Sequence, residues 1–88
     1  MATRSELAKD EADDLGRLFE SAASYLSLLA DPTRLRILHA ICHDERSVND
    51  IVENVGASQT NVSRNLALMY RAGMLRRRRD GNSVLYAV

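Results

Sequence analysis

The chain has 88 residues, 45% of them hydrophobic, which is enough for one domain with a modest core that gains from burying further surface against a partner. No apolar run approaches the roughly 20 residues that span a bilayer, the start MATRSELAKDEADD lacks a secretory stretch, and the lone Cys42 excludes an intramolecular disulfide, so a dimeric cytoplasmic protein is expected. The net charge is zero, yet residues 1–31 hold three basic and seven acidic side chains and residues 32–88 hold nine and five, so a neutral total hides a basic C-terminal part suited to a polyanion.

Residues 10–29 read as a helix, with Leu15, Leu18, Phe19, Ala22, Leu26 and Leu29 at spacings of three and four, and with acids at its start, where they suit the helix dipole. That stripe has to be buried. Asp31-Pro32 ends this helix and opens the next, because aspartate caps free backbone NH groups and proline fits a first helical turn. The second helix is expected to run to about His43, with Leu35, Leu38 and Cys42 on its core stripe and His39 at the border. Asp44-Glu45-Arg46 reads as a polar connection.

Ser47, with Asp50 three residues on, makes a capping-box-like start for a short helix that stops near Gly56, a natural left-handed residue. Ser58 then caps a helix that ends at Gly73. Val62, Leu66, Met69 and Tyr70 form its expected core side, while Gln59, Thr60, Asn61, Ser63 and Arg64 crowd its first two turns. A helix built only to fill a core has no reason to gather amides, hydroxyls and a guanidinium there. In a helix-turn-helix, those groups meet base edges in the major groove.

After Gly73 the period changes to two. Met74 to Arg79, the turn Asp80-Gly81-Asn82 and Ser83 to Val88 spell a β-hairpin. The expected fold is mainly α with a β-hairpin wing, a winged helix-turn-helix. One domain spans residues 1–88: an N-terminal dimerisation helix in 1–31, a helix-turn-helix core in 32–73 and the wing in 74–88. Leu85, Tyr86 and Val88 are apolar enough to pack on the helices. Arg76, Arg77, Arg78 and Arg79 cannot all be buried, and they present a cationic ribbon.

LADPTRLRIL, ASQTNVSRNLALMYRAGML and RRRRDGNSVLYAV, in this order, resemble the second helix, recognition helix and wing of the ArsR/SmtB family of small bacterial transcriptional repressors. The resemblance covers residues 26–88. It implies a homodimer that binds an imperfect palindromic operator in a promoter and is released by an inducer. Carried over by position, the groove-facing residues are Gln59, Thr60, Ser63 and Arg64, with Ser58 and Asn61 placed to touch phosphates or base edges. For Gln59 and Ser63, capping or packing is the alternative role. Asn65 stands where many relatives carry histidine. Wing residues Arg77, Arg79 and Asn82 would lie against phosphates or in the minor groove, although strand alternation lets only some of the arginines face one duplex. Arg34 and Arg36 are weaker candidates, or plain surface charge.

Metal-sensing relatives carry a Cys-x-Cys in the helix before the recognition turn, because paired soft thiolates chelate thiophilic ions. This chain has Ser47-Val48-Asn49 there. Other relatives use a helix beyond the wing, and the sequence stops at Val88, so the first helix is expected to supply most of the dimer interface. His39, Cys42 and His43 remain as sensor candidates for zinc, copper or haem, against the plainer reading of a core cysteine, a bordering histidine and a helix-terminal cation. No metal or cofactor is expected, and no inducer is named. A thiol switch would need an intersubunit bridge.

An enzyme finds no support, since the chain lacks a nucleophile beside a base, a Gly-rich phosphate loop and paired acids in an apolar setting. A winged-helix protein-interaction module would want an apolar or acidic outer face on residues 59–71, where Thr60, Arg64 and Arg71 make it basic.

Overall fold

A computed structural model describes residues 4–88, in the order α1 (Arg4–Leu29), α2 (Pro32–Ile41), β1 (Arg46–Ser47), α3 (Val48–Val55), α4 (Gln59–Arg71), β2 (Arg76–Asp80) and β3 (Ser83–Ala87). Residues 1–3, which fall within the expected dimerisation helix of 1–31, lie outside the described residues. The architecture is a winged helix-turn-helix, with four helices and a three-stranded antiparallel sheet in the order β1-β3-β2.

Local chemistry sets the helix boundaries. The Asp31 carboxylate accepts from the backbone N–H of Thr33 at 2.8 Å and of Arg34 at 3.1 Å, and Pro32 begins α2. Ser47 Oγ accepts from the Asp50 N–H at 3.2 Å, and Gly56 closes α3 at φ +74°. Ser58 Oγ accepts from the Asn61 N–H at 3.1 Å and starts α4. At the wing tip, Gly81 at φ +62° supplies the positive angle of a two-residue hairpin turn, and Asn82 does not share it.

The core forms where α2, α3, α4 and the sheet meet. Ile37, Ile51, Val62, Leu66 and Met69 are 0% exposed, with Ile41, Val55, Leu75 and Tyr86 beside them. The apolar face of α2 therefore runs through Ile37 and Ile41. The expected stripe was displaced: Leu35 and Cys42 are exposed and Leu38 is half-buried, because apolar residues occupy nearly every side of this helix and composition alone does not choose the face. The helix also stops at Ile41, with Cys42 as its cap, two residues short of the expected end.

Two further differences come from tertiary pairing. Arg46, expected in a polar connection, and Ser47, expected as a helix cap, pair with Tyr86 and Leu85 to add a third strand, while Ser47 still caps α3. Tyr70, expected in the core, is 36% exposed, because Met69 fills the inward position and the next residue points about 100° away. Helix α1 is longer than expected and exposed along residues 9–27 apart from half-buried Gly16, and the molecule measures 57 Å along one axis against 27 and 20 Å across.

Candidate nucleic-acid interface

Helix α4 separates its faces sharply. Val62, Leu66 and Met69 anchor it inward, whereas Ser58, Gln59, Thr60, Asn61, Ser63 and Arg64 are all exposed. Gln59 and Ser63, placed near a buried margin on sequence grounds, stand free of the core. Arg64 has no hydrogen-bond or ion-pair partner among the described residues, and its guanidinium fork is available to a bidentate acceptor. Near the start of α4, a cleft of about 230 Å³ brings Gln59 together with Ser47 of β1, with Val48 and Asn49 of α3 and with Asn82, Ser83 and Val84 of the wing. The start of α3, the start of α4 and the wing tip thus line one surface of mixed polar and apolar character.

The wing arginines divide by strand alternation. Arg77 pairs in register with buried Tyr86 and Arg79 with Val84, so these two share the sheet face that packs on the helices. The Arg77 guanidinium lies 3.9 Å from the Tyr70 ring centroid, a cation–π contact at the end of α4. The neighbouring Tyr86 hydroxyl pushes its pKa upward. Arg77 is therefore a strut between wing and recognition helix as well as an exposed cation. Arg79, nearer the tip, is exposed without a partner among the described residues.

On the other face, Arg78 grips the Glu45 carboxylate with Nε at 2.9 Å and with Nη2, a hydrogen bond that holds Glu45 below its ordinary pKa. Arg76 donates to the Val88 carbonyl at 3.2 and 3.3 Å. Half of the cationic ribbon thus serves the wing itself.

A sequence profile of bacterial regulatory proteins of the arsR family matches residues 31–77. The chain belongs to the arsR family. It is 36% identical over 72 residues to the HTH-type transcriptional regulator Rv0081 of Mycobacterium tuberculosis, covering 81% of this chain and 63% of that one. It is 39% identical over 69 residues to a probable mercury resistance operon repressor of Streptomyces lividans, covering 78% and 55%. The chain thus spans less than two thirds of these relatives' length. Among solved structures, Rv0081 superposes with a TM-score of 0.74 at 36% identity over 81% of this chain and 72% of that one. The homodimeric winged helix-turn-helix DNA-binding domain Mb0332 of Mycobacterium bovis, a possible ArsR-family regulator, does so at 0.75 and 30% identity, covering 86% and 70%. This family and fold are those of DNA-binding transcriptional regulators, not of enzymes.

The sensor candidates come together only in pairs, His39 with His43 in one cavity and Cys42 with His43 in another. Among the described residues no group of three His, Cys, Asp or Glu side chains is placed to hold a metal. Cys42 is exposed and its thiol donates to the His39 carbonyl at 3.2 Å. His39 and His43 instead line an open cavity of about 560 Å³ with Arg36 and Arg46, and Cys42 is not part of that lining. No helix among the described residues is long and apolar enough to cross a membrane.

Arg34 and Asn65 are what sequence reasoning missed. Arg34, read as a weaker DNA-contact candidate or plain surface charge, is half-buried and donates from Nε to Asn65 Oδ1 at 2.8 Å and from Nη1 to the Leu28 carbonyl at 3.0 Å. Asn65 is 8% exposed. An amide among the apolar positions of α4 is the signal that could have pointed to a buried partner.

Proposed function

We propose that this chain is a homodimeric repressor that occupies a palindromic promoter operator in the cytoplasm, with one α4 per half-site and the wings on the flanks. The observation that carries the reading is the run of exposed polar side chains from Ser58 to Arg64 on a helix whose opposite side is sealed in the core, continuous through the cleft at Gln59 with the wing tip. Ser58, Gln59, Thr60, Asn61, Ser63 and Arg64 meet the major groove, and Arg77, Arg79 and Asn82 meet the backbone or minor groove. The apolar face of α1 is the surface that a second copy covers, in keeping with the homodimeric Mb0332 domain. With serine and asparagine where thiophilic sensors hold two thiolates, an inducer other than a Cys-x-Cys metal releases the DNA.

A gel shift on the DNA upstream of its own gene, at two salt concentrations, tests this. Binding that far exceeds binding to scrambled DNA is expected, and Arg64→Ala costs about 1–3 kcal/mol with relaxed specificity. Equal, weak binding to both DNAs would end the claim.

A further inference from the structure

Asn61 sits on the exposed side of α4, and its amide is not free to turn. A guanidinium carries hydrogen-bond donors only, so whatever faces Arg34 must accept. Arg34 Nε meets Asn65 at 2.8 Å, and this orients Asn65 with Oδ1 toward the arginine. The Asn65 Nδ2 then points along α4 to the previous turn, donating to the Asn61 backbone carbonyl at 2.9 Å and to Asn61 Oδ1 at 2.8 Å. Asn61 Oδ1 is thereby engaged inward, its backbone N–H is held by Ser58 Oγ, and its side-chain NH₂ is the group left for solvent. Arg34 is itself held from behind by the Leu28 carbonyl, one of the last carbonyls of α1, which lack a partner within that helix.

We propose that Arg34 sets the polarity of this amide chain, so that Asn61 offers the duplex a hydrogen-bond donor and selects an acceptor. An asparagine that reads adenine needs its oxygen and its nitrogen together, one for N6 and one for N7. Here the oxygen is turned inward to Asn65, which leaves the NH₂ to face the duplex, and its partner is an acceptor: a purine N7, a guanine O6, a thymine O4 or a phosphate oxygen. Arg34 and Asn65 are positioning residues that act through Asn61. The inference rests on the DNA-binding reading above and gives its recognition helix a chemical preference.

The test is a double-mutant cycle on a duplex selected by the wild-type full chain from random sequence. Arg34→Met and Asn65→Leu are each expected to weaken binding about fivefold with Asn61 in place and less than twofold in an Asn61→Ala background, a coupling typical of side chains in one network. Arg34→Lys, still donor-only, retains most of the affinity. A loss confined to one base pair identifies a base-edge acceptor, and an equal loss on every sequence identifies a phosphate. Melting temperatures separate folding from binding, and the paired Arg34→Met/Asn65→Leu variant, which leaves no buried amide unsatisfied, stands in should a single variant fold poorly. Equal losses in both Asn61 backgrounds would overturn the relay. A wild-type chain that selects no sequence would instead overturn the functional reading.

Discussion

Helices α1 and α4 carry apolar stripes of the same period and meet opposite fates. In α4 the stripe of Val62, Leu66 and Met69 is 0% exposed within one chain, whereas in α1 Leu18, Phe19 and Leu26 stand 61–68% exposed. Periodicity says that a helix has a face to hide. What hides it depends on which elements the chain brings against it. Helix α4 is folded back by α3 and the wing on either side, while most of α1 runs clear of the body. The α4 stripe is already core, and the α1 stripe is the face proposed above for a second copy.

The largest effect that sharpens this contrast is in the core. Leu66→Ala opens a cavity beside Ile37, Ile51 and Met69 and should cost about 2–5 kcal/mol of folding stability in denaturant titration. Phe19→Ala, measured at a dilution where the chain is monomeric, should leave folding stability nearly unchanged. A large loss there would mean that α1 packs on its own body in solution.

Next comes the interface. Leu18→Glu places a charge in the centre of the stripe, and burying it unpaired against a second copy is costly. The expected outcome is a monomer in sedimentation velocity, with operator affinity reduced about tenfold or more, which is about 1.4 kcal/mol. A variant that sediments as a dimer would move the interface away from α1.

The same contrast explains what could be read in advance. Asp31-Pro32, Ser47, Gly56 and Ser58 act on backbone groups two to four residues away, so the helix boundaries and the exposed polar run of α4 were legible from neighbours in the chain. Arg34 and Asn65 are 31 residues apart, and neither residue type announces a pairing across that distance. Arg46 and Ser47 became a strand through β3, some 40 residues on, not through any propensity of their own. Tyr70 and Cys42 failed for a third reason: each borders its stripe, where one step of about 100° decides between core and solvent.

A smaller effect separates the two faces of the wing. Arg79→Ala should reduce the slope of log binding constant against log salt by nearly one unit, the signature of one lost phosphate contact. Arg78→Ala should change that slope much less, because Glu45 already neutralises Arg78. Equal slope changes would show that the duplex competes the pair apart.

The smallest effect tests that pair itself. The hydrogen bond from Arg78 holds the Glu45 carboxyl below its ordinary value of 4.5 in the folded chain, so the unfolded chain takes up the proton first as pH falls. The stabilisation is therefore fully present above the ordinary value and disappears as pH drops through the depressed one. Both side chains are exposed, so the contribution is small and screened by salt. Glu45→Gln should lower the melting temperature slightly at neutral pH and low salt, and the difference from wild type should vanish both in acid and at high salt. If the difference survives acidification, Glu45 steadies the wing through packing on β2 rather than through its charge.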